Sequence, residues 1–476
     1  MEGLKFFVTL FVFTLIIAVL LYFIWKKHRN WTVVFGIGMI YYWSLSGAWF
    51  IVFDQLTSDS GEKIGLHYYY YFEKLFHIIL NKDYLFSIAA YGLFIICIEV
   101  MLLIFPSRLP NENTKTEPVW ISHLSLILIA LSALAASIFF NYEKIIEAIQ
   151  LKESIYVYTR LHPGTYFTLH QLCNEISVLT LLMGIAIMIS GKDAGFVKGK
   201  WSLGIFIFYL ISFSIVTLYL VILGNRHDLI LGGLIGLYLL YYNLKKKIQP
   251  VRYLGFLLMI AIPIFTTDTV RSFPWGEYLG NVTSSKPVKK EITEAPTSEL
   301  VSGTTLMQNI AFSNEMFAAH MSMYGAIHFN IPHTNGSSLI SLTASFIPRM
   351  FWPNRPMDIY PYYASGVNYH DEQGFTIHHA TGWYLNFGWL GIIIGGFLFG
   401  SLWSYSLTAE TNSSRENRFA KILVFLLPIS VAAFIPLFIR AGIEVYKPLL
   451  IEGILIPALI LWLAAVFLKY FKIKIT

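Results

Sequence analysis

"FFVTLFVFTLIIAVLLYFIW", residues 6–25, runs for twenty positions without a charged side chain. In an apolar medium every backbone amide must be satisfied within its own segment, and a helix of about 20 residues both does this and spans the hydrocarbon core. The run is too long for the apolar part of a cleavable leader, so it is expected to stay as a transmembrane helix. Comparable stretches recur at about 31–53, 84–105, 120–140, 167–190, 202–223, 228–244, 251–267, 383–405, 419–439 and 448–468. The expected fold class is an all-α polytopic integral membrane protein of about eleven transmembrane helices with one large periplasmic loop containing short helices.

Composition agrees. Of 476 residues, 56% are apolar, 17% aromatic and only 13% charged, where soluble domains carry about 25% charged residues. The net charge of +6 comes from basic residues scattered over short loops, which excludes a nucleic-acid footprint. Cys97 and Cys173 both lie inside apolar stretches and read as small buried hydrophobes, not as a disulfide or metal pair.

Charge sorts the loops. More than half of the 34 basic residues fall in a few segments: Lys26 to Arg29, Arg108 and Lys115, Lys192 to Lys200, Lys245 to Arg252, Arg415 to Lys421, and Lys469 to Lys474. The positive-inside rule places these in the cytoplasm, with the N-terminus outside and the C-terminus inside. The opposite face then carries 54–83, 141–166, 224–227, 440–447 and a long segment, 268–382. The chain therefore divides into helices over 1–267, the large loop 268–382 and helices over 383–476. The stretch 283–300 is polar, and helical periodicity returns from Thr304 to Gly325.

Within the loop, "SFIPRMFWPNRPMDIYP" (345–361) sets Arg349 and Arg355 among four prolines. Proline fixes φ and removes a donor, so this is a stiffened loop and not a span. Arg160 ("YVYTRLHPG"), Arg226 ("LGNRHDLILGG") and Arg440 ("PLFIRAGIEVYKP") are assigned to the same face. A guanidinium stays charged and presents a planar fork that grips phosphate through two bonds. The plainer role for each is snorkelling to lipid headgroups or pairing with Asp228, Asp358 or Glu444. A second cluster, "NYHDEQGFTIHHATGWYLNFGWLG" (368–391), holds His370, Asp371, Glu372, His378 and His379. Histidine can accept a proton near neutrality and an adjacent carboxylate can orient it; the alternative is a solvated loop with idle rings. The spacing asks for no metal ion. His227, His170, Glu175 and Glu444 are candidates to line a cavity on that face, and an intramembrane carboxyl such as Glu175 is functional by default.

"SFIPRMFWPNRP" followed by "GFTIHHATGWYLNFGWLGIIIGG" resembles the large loop and following helix of bacterial Wzy-type polysaccharide polymerases, GT-C-like membrane glycosyltransferases related to the O-antigen ligases. "GNRHDLILG" and "FIRAGIEVY" resemble the flanking arginine segments, and the enterobacterial common antigen polymerases are the nearest branch. The resemblance implies polymerisation of undecaprenyl-pyrophosphate-linked oligosaccharide units at the periplasmic face of the bacterial inner membrane. One lipid-linked glycan passes to the non-reducing end of another, with no cofactor and no metal. It implies pyrophosphate held by Arg226, Arg349, Arg355, Arg440 and Arg160, and a chain-length regulator protein as partner. Relatives place an acidic residue before "NFG", where this chain has Gly382-Trp383-Tyr384; His378 or His379, beside Asp371 and Glu372, is the substitute base. The alternatives are an O-antigen ligase acting on lipid A core and, in another class, a lipid-linked oligosaccharide flippase.

Overall fold

A computed structural model describes residues 2–57, 81–105, 118–162, 164–200, 202–270, 315–347, 352, 359–367, 376–409 and 417–473. Nine helical stretches among them are long and apolar enough to cross a membrane. Their outward side chains are large and apolar, for instance Phe139, Phe265 and Val251, the last 85% exposed. In water such surface would aggregate; against lipid tails it is ordinary. The chain is a helical, polytopic membrane protein. Of the eleven expected stretches, two form helices below that length. His227–Asn243 has 17 residues, and the 419–439 stretch breaks at Phe434 into Arg418–Ala433 and Ile435–Arg440.

Two compact units interleave along the sequence. The first comprises Met1–Pro110, Pro296–Thr411 and Phe434–Ile451. Helices Glu2–His28 and Lys82–Ile104 run parallel in it: Phe6 stacks near Tyr84, while Lys27 donates to the carbonyl oxygens of Leu103 (2.6 Å) and Leu102 (3.2 Å). The lysine thereby satisfies carbonyls that a helix C-terminus leaves open. At the other end Asn81 caps Lys82–Ile104 through the Tyr84 amide (2.9 Å) and donates to the Tyr324 hydroxyl (3.1 Å). Tyr324 lies on Glu315–His328, which overlaps the C-terminal half of the periodic stretch 304–325; residues 304–314 lie outside the described residues.

The ninth expected span begins differently. His379–Ala409 is broken at Phe387 and Gly388, the latter at φ 60, ψ −140, a region that only glycine enters readily. Residues 379–387 fold back on the rest: a Cβ at Gly391 would collide with the Trp383 carbonyl, and one at Gly395 with the Trp383 ring. Beyond the break, Trp389 sits against Phe86 and Ser404 donates to the Met101 carbonyl (3.3 Å), so this part runs alongside Lys82–Ile104. The segment from His378 to Phe387 is thus re-entrant, starting level with Tyr91 and Phe94 at mid-helix.

The second unit comprises Asn111–Ala295, Asn412–Ala433 and Glu452–Thr476. Its basic loops gather at one end. Val119–Trp120 pairs in parallel with Val197–Lys198, Asn243 accepts from the amides of Phe196 and Val197 (3.1 and 3.0 Å), and Arg252 bonds Asp193 at 2.6 Å. Lys192, Lys198 and Lys245 to Lys247 share that end, the grouping that charge sorting expected. Phe167–Ser190, 24 residues or roughly 36 Å long, carries the chain to the opposite end.

Candidate functional site

Opposite the basic loops, the second unit opens a small, shallow cleft of about 30 Å³ lined by Tyr156, Thr159, Phe167, His170, Gln171 and Asn225. Local chain chemistry builds it. Leu203–Ile222 ends in a Schellman turn, with Gly224 at φ 66, its amide donating to Val221 (3.0 Å) and that of Asn225 to Leu220 (2.9 Å). Glycine is required twice here, for the positive φ and because a Cβ would lie 2.8 Å from the Tyr156 ring. The turn delivers Arg226, half-buried, to the N-cap of His227–Asn243, where the positive end of the helix favours anions. His227 is exposed beside it. Asn225 donates to Asp228 (2.8 Å).

His170 is fixed in the cleft wall. Its Nδ1–H faces the Ser137 carbonyl (3.2 Å), and its Nε2 accepts from the Asn174 amide (3.2 Å). Arg160 belongs to the short helix Ile155–Leu161, next to the cleft residue Thr159. The structure thus brings His170, Arg226, His227 and the helix bearing Arg160 to one end of one unit, as the loop sorting expected.

In the first unit the segments around His378 and Arg440 are joined. Ile377 pairs with Ala441; the Ile377 amide donates to the Arg440 carbonyl (3.2 Å), and the Gly442 amide to that of Ile377 (2.8 Å). Arg440 is half-buried at the end of Ile435–Arg440. Glu444 accepts from the Ile359 amide (2.7 Å), capping the helix Ile359–Gly366.

His378 and His379 are both buried, and their ring nitrogens are engaged. His378 Nδ1 accepts from the Ala380 amide (3.1 Å), so Nε2 carries the proton and donates to Ser44 Oγ (2.9 Å). Ser44 lies on a π-helical bulge, Tyr42–Ser46, that turns it inward. His379 Nδ1–H donates to the Gly442 carbonyl (2.5 Å), and Nε2 accepts from Trp383 and Tyr446 (3.1 Å each). A base needs an accessible lone pair. The geometry instead favours two neutral rings that position the re-entrant segment, and adjacency in sequence does send them to different partners.

A third histidine belongs to this network and escaped the sequence reading. His320 donates from Nδ1 to the Ser44 carbonyl (2.7 Å) and accepts from Tyr84 (2.8 Å). Its one signal was a polar residue on the apolar face of the 304–325 periodicity. Burial pushes His320 down to about 4; burial, then His379 and His320, hold His378 well below the ordinary histidine range. The unfolded chain takes up these protons near pH 6.5, so stability is complete above that pH and falls as pH drops. At about pH 5 His320 alone removes roughly 2 kcal/mol, and His378 acts in the same direction. Thermal unfolding in detergent is expected to show a lower midpoint at that pH than at neutrality, with a smaller difference in His320→Gln.

Arg349, Arg355, Asp371 and Glu372 lie outside the described residues, as does most of the 268–382 loop. Both cysteines are free, Cys97 buried and Cys173 half-buried, as expected. No family model, curated protein or solved structure matches this chain.

Proposed function

We propose that the chain is a membrane glycosyltransferase that polymerises undecaprenyl-pyrophosphate-linked oligosaccharide units at the periplasmic face of a bacterial inner membrane. The observation that carries this reading is the joining of "FTIHHATGW" to "FIRAGIEVY" through Ile377, Arg440 and Gly442, since these are two of the segments that bear the family resemblance. In this reading Arg160 and Arg226 of the second unit, and Arg349, Arg355 and Arg440 of the first, each serve as ligands to pyrophosphate. They stabilise it electrostatically as it leaves the donor's anomeric carbon. Because the rings of His378 and His379 are engaged, the acceptor hydroxyl gives its proton to a carboxylate, Asp371 or Glu372. The eleven-span count, the periplasmic N-terminus, the cytoplasmic C-terminus and a chain-length regulator as partner belong to the same proposal.

A transporter reading has its own support: the broken helix at Phe387–Gly388 and the π-helical segments Tyr42–Ser46 and Leu449–Leu455 are interruptions typical of alternating-access folds. Purified protein in detergent, given only lipid-linked repeat units, separates the readings because no membrane remains to be crossed. Glycans of two or more units are expected. Transfer to lipid A core alone would make the protein a ligase. Movement of the lipid across vesicles without any new glycosidic bond would make it a transporter.

A further inference from the structure

The end of the second unit away from the cleft carries a charge imbalance that the polymerase reading leaves unused. Two stretches meet there: 191–200 brings Lys192, Lys198 and Lys200, and 244–252 brings Lys245 to Lys247 and Arg252. The Asn243 bonds to Phe196 and Val197 join them, as do the Gly195 amide donating to the Asn243 carbonyl (2.7 Å) and Arg252 donating to the Ser190 carbonyl (2.9 Å). The stem of Lys245 passes along Gly195, its Cγ 3.2 Å from where a Cβ would stand. Asp193 is the one carboxylate of the two stretches, and Arg252 occupies it at 2.6 Å. Lys192, Lys198, Lys200, Lys245 and Lys247 have no carboxylate partner among the described residues. Lys245 and Lys246 both hold positive φ (55 and 62), the one adjacent pair without a glycine among the described residues to do so. A Cβ resists that region. Their amides bond the carbonyls of Tyr242 (3.0 Å) and Tyr241 (2.9 Å), the same turn that Gly224 closes at the other end. Attraction to a helix C-terminus fades beyond its last turn, so it does not account for Lys198 or Lys200.

We propose that this end of the second unit binds anionic phospholipid headgroups, their phosphodiesters held between 191–200 and 244–252. Clusters of about four to eight Lys or Arg beside a spanning helix attract anionic lipid in this way. The surrounding surface sets the depth. Trp120, Ile248 and Val251 are 48, 53 and 85% exposed. Such side chains belong where acyl chains meet headgroups, and the lysine stems extend from that level to carry their charge to the phosphates. The site stands independently of the polymerase reading.

The test uses full-length protein in an uncharged detergent and phosphatidylglycerol carrying a fluorescent acyl chain, with binding read by anisotropy. Unlabelled phosphatidylcholine is expected to compete at least about tenfold more weakly than unlabelled phosphatidylglycerol, and sodium chloride to weaken binding. Lys192→Gln, Lys200→Gln and Lys247→Gln together are expected to weaken the lipid about a hundredfold, at about fivefold for each charge near an anionic surface. Lys→Arg at the same three positions keeps the charge and is expected to keep the affinity. The control is Lys5→Gln, Lys26→Gln and Lys82→Gln, which removes the same net charge from the first unit and is expected to bind as the parent does. Should the triple variant fail to fold, Lys245→Asn, whose side chain tolerates positive φ, is read instead, with an expected loss of about fivefold. Equal affinity for the two lipids, an equal loss in the control, or full binding in a folded Gln or Asn variant overturns the proposal. So does release of the lipid by inorganic phosphate beyond that caused by sodium chloride of equal ionic strength, which would mark a site for the free ion.

Discussion

Gly391→Ala is expected to cost about 3 kcal/mol or more and to be poorly recovered from the membrane. The added methyl would strike the backbone carbonyl of Trp383, which has no rotamer by which to yield. Overpacking of this kind forces whole segments apart, and typical costs of about 1–3 kcal/mol come from cases where a side chain can give way. Here relief would separate residues 379–387 from the helix beyond Gly388 and pull on the His379 bonds to Gly442 and Tyr446. Gly255, with nothing within 4 Å of its virtual Cβ, is the matched control: Gly255→Ala is expected to be neutral or slightly stabilising. Thermal unfolding of both variants in detergent measures the difference. Equal midpoints would mean that the re-entrant segment does not pack on the following helix as described.

Arg226→Lys is expected to lower polymer formation by about 10²- to 10³-fold, equivalent to about 3–4 kcal/mol of lost transition-state stabilisation. Lysine keeps the charge at the N-terminus of His227–Asn243 and so keeps the helix-dipole interaction, but it loses the planar fork that binds phosphate through two bonds. The unfolding midpoint should therefore stay within a degree or two of the parent, since a half-buried residue at a helix cap changes stability little when charge is kept. kcat/KM with purified lipid-linked units separates the roles. Full activity in Arg226→Lys would assign the arginine to lipid headgroups instead of to substrate.

Much of this architecture was legible in the chain. Long uncharged runs such as 6–25 declared the spans because hydrophobic length is a local property that needs no partner. Lysine and arginine placement grouped the loops correctly within the second unit, where Lys192, Lys198 and Lys245 to Lys247 share one end and the cleft of His170 and Asn225 occupies the other. The turn at Gly224 and the cap at Asn81 were not singled out in the sequence, although both rest on backbone sterics and hydrogen bonding within a few residues.

What the sequence could not supply was which polar groups meet. His378 and His379 had the composition of an acid–base pair, yet only the fold showed Ala380, Ser44, Gly442, Trp383 and Tyr446 occupying their nitrogens. His320 reaches that network through Ser44, 276 positions away, and no local pattern encodes such a contact. The span that looked uniform from 383 to 405 hides a reversal at Gly388, since hydropathy records burial and is blind to chain direction. Glu175 likewise had the place of a cavity-lining residue, yet it is buried and does not line the cleft. Composition, period and charge were read one segment at a time, whereas the roles of buried polar side chains depend on neighbours that only tertiary packing brings within hydrogen-bonding reach.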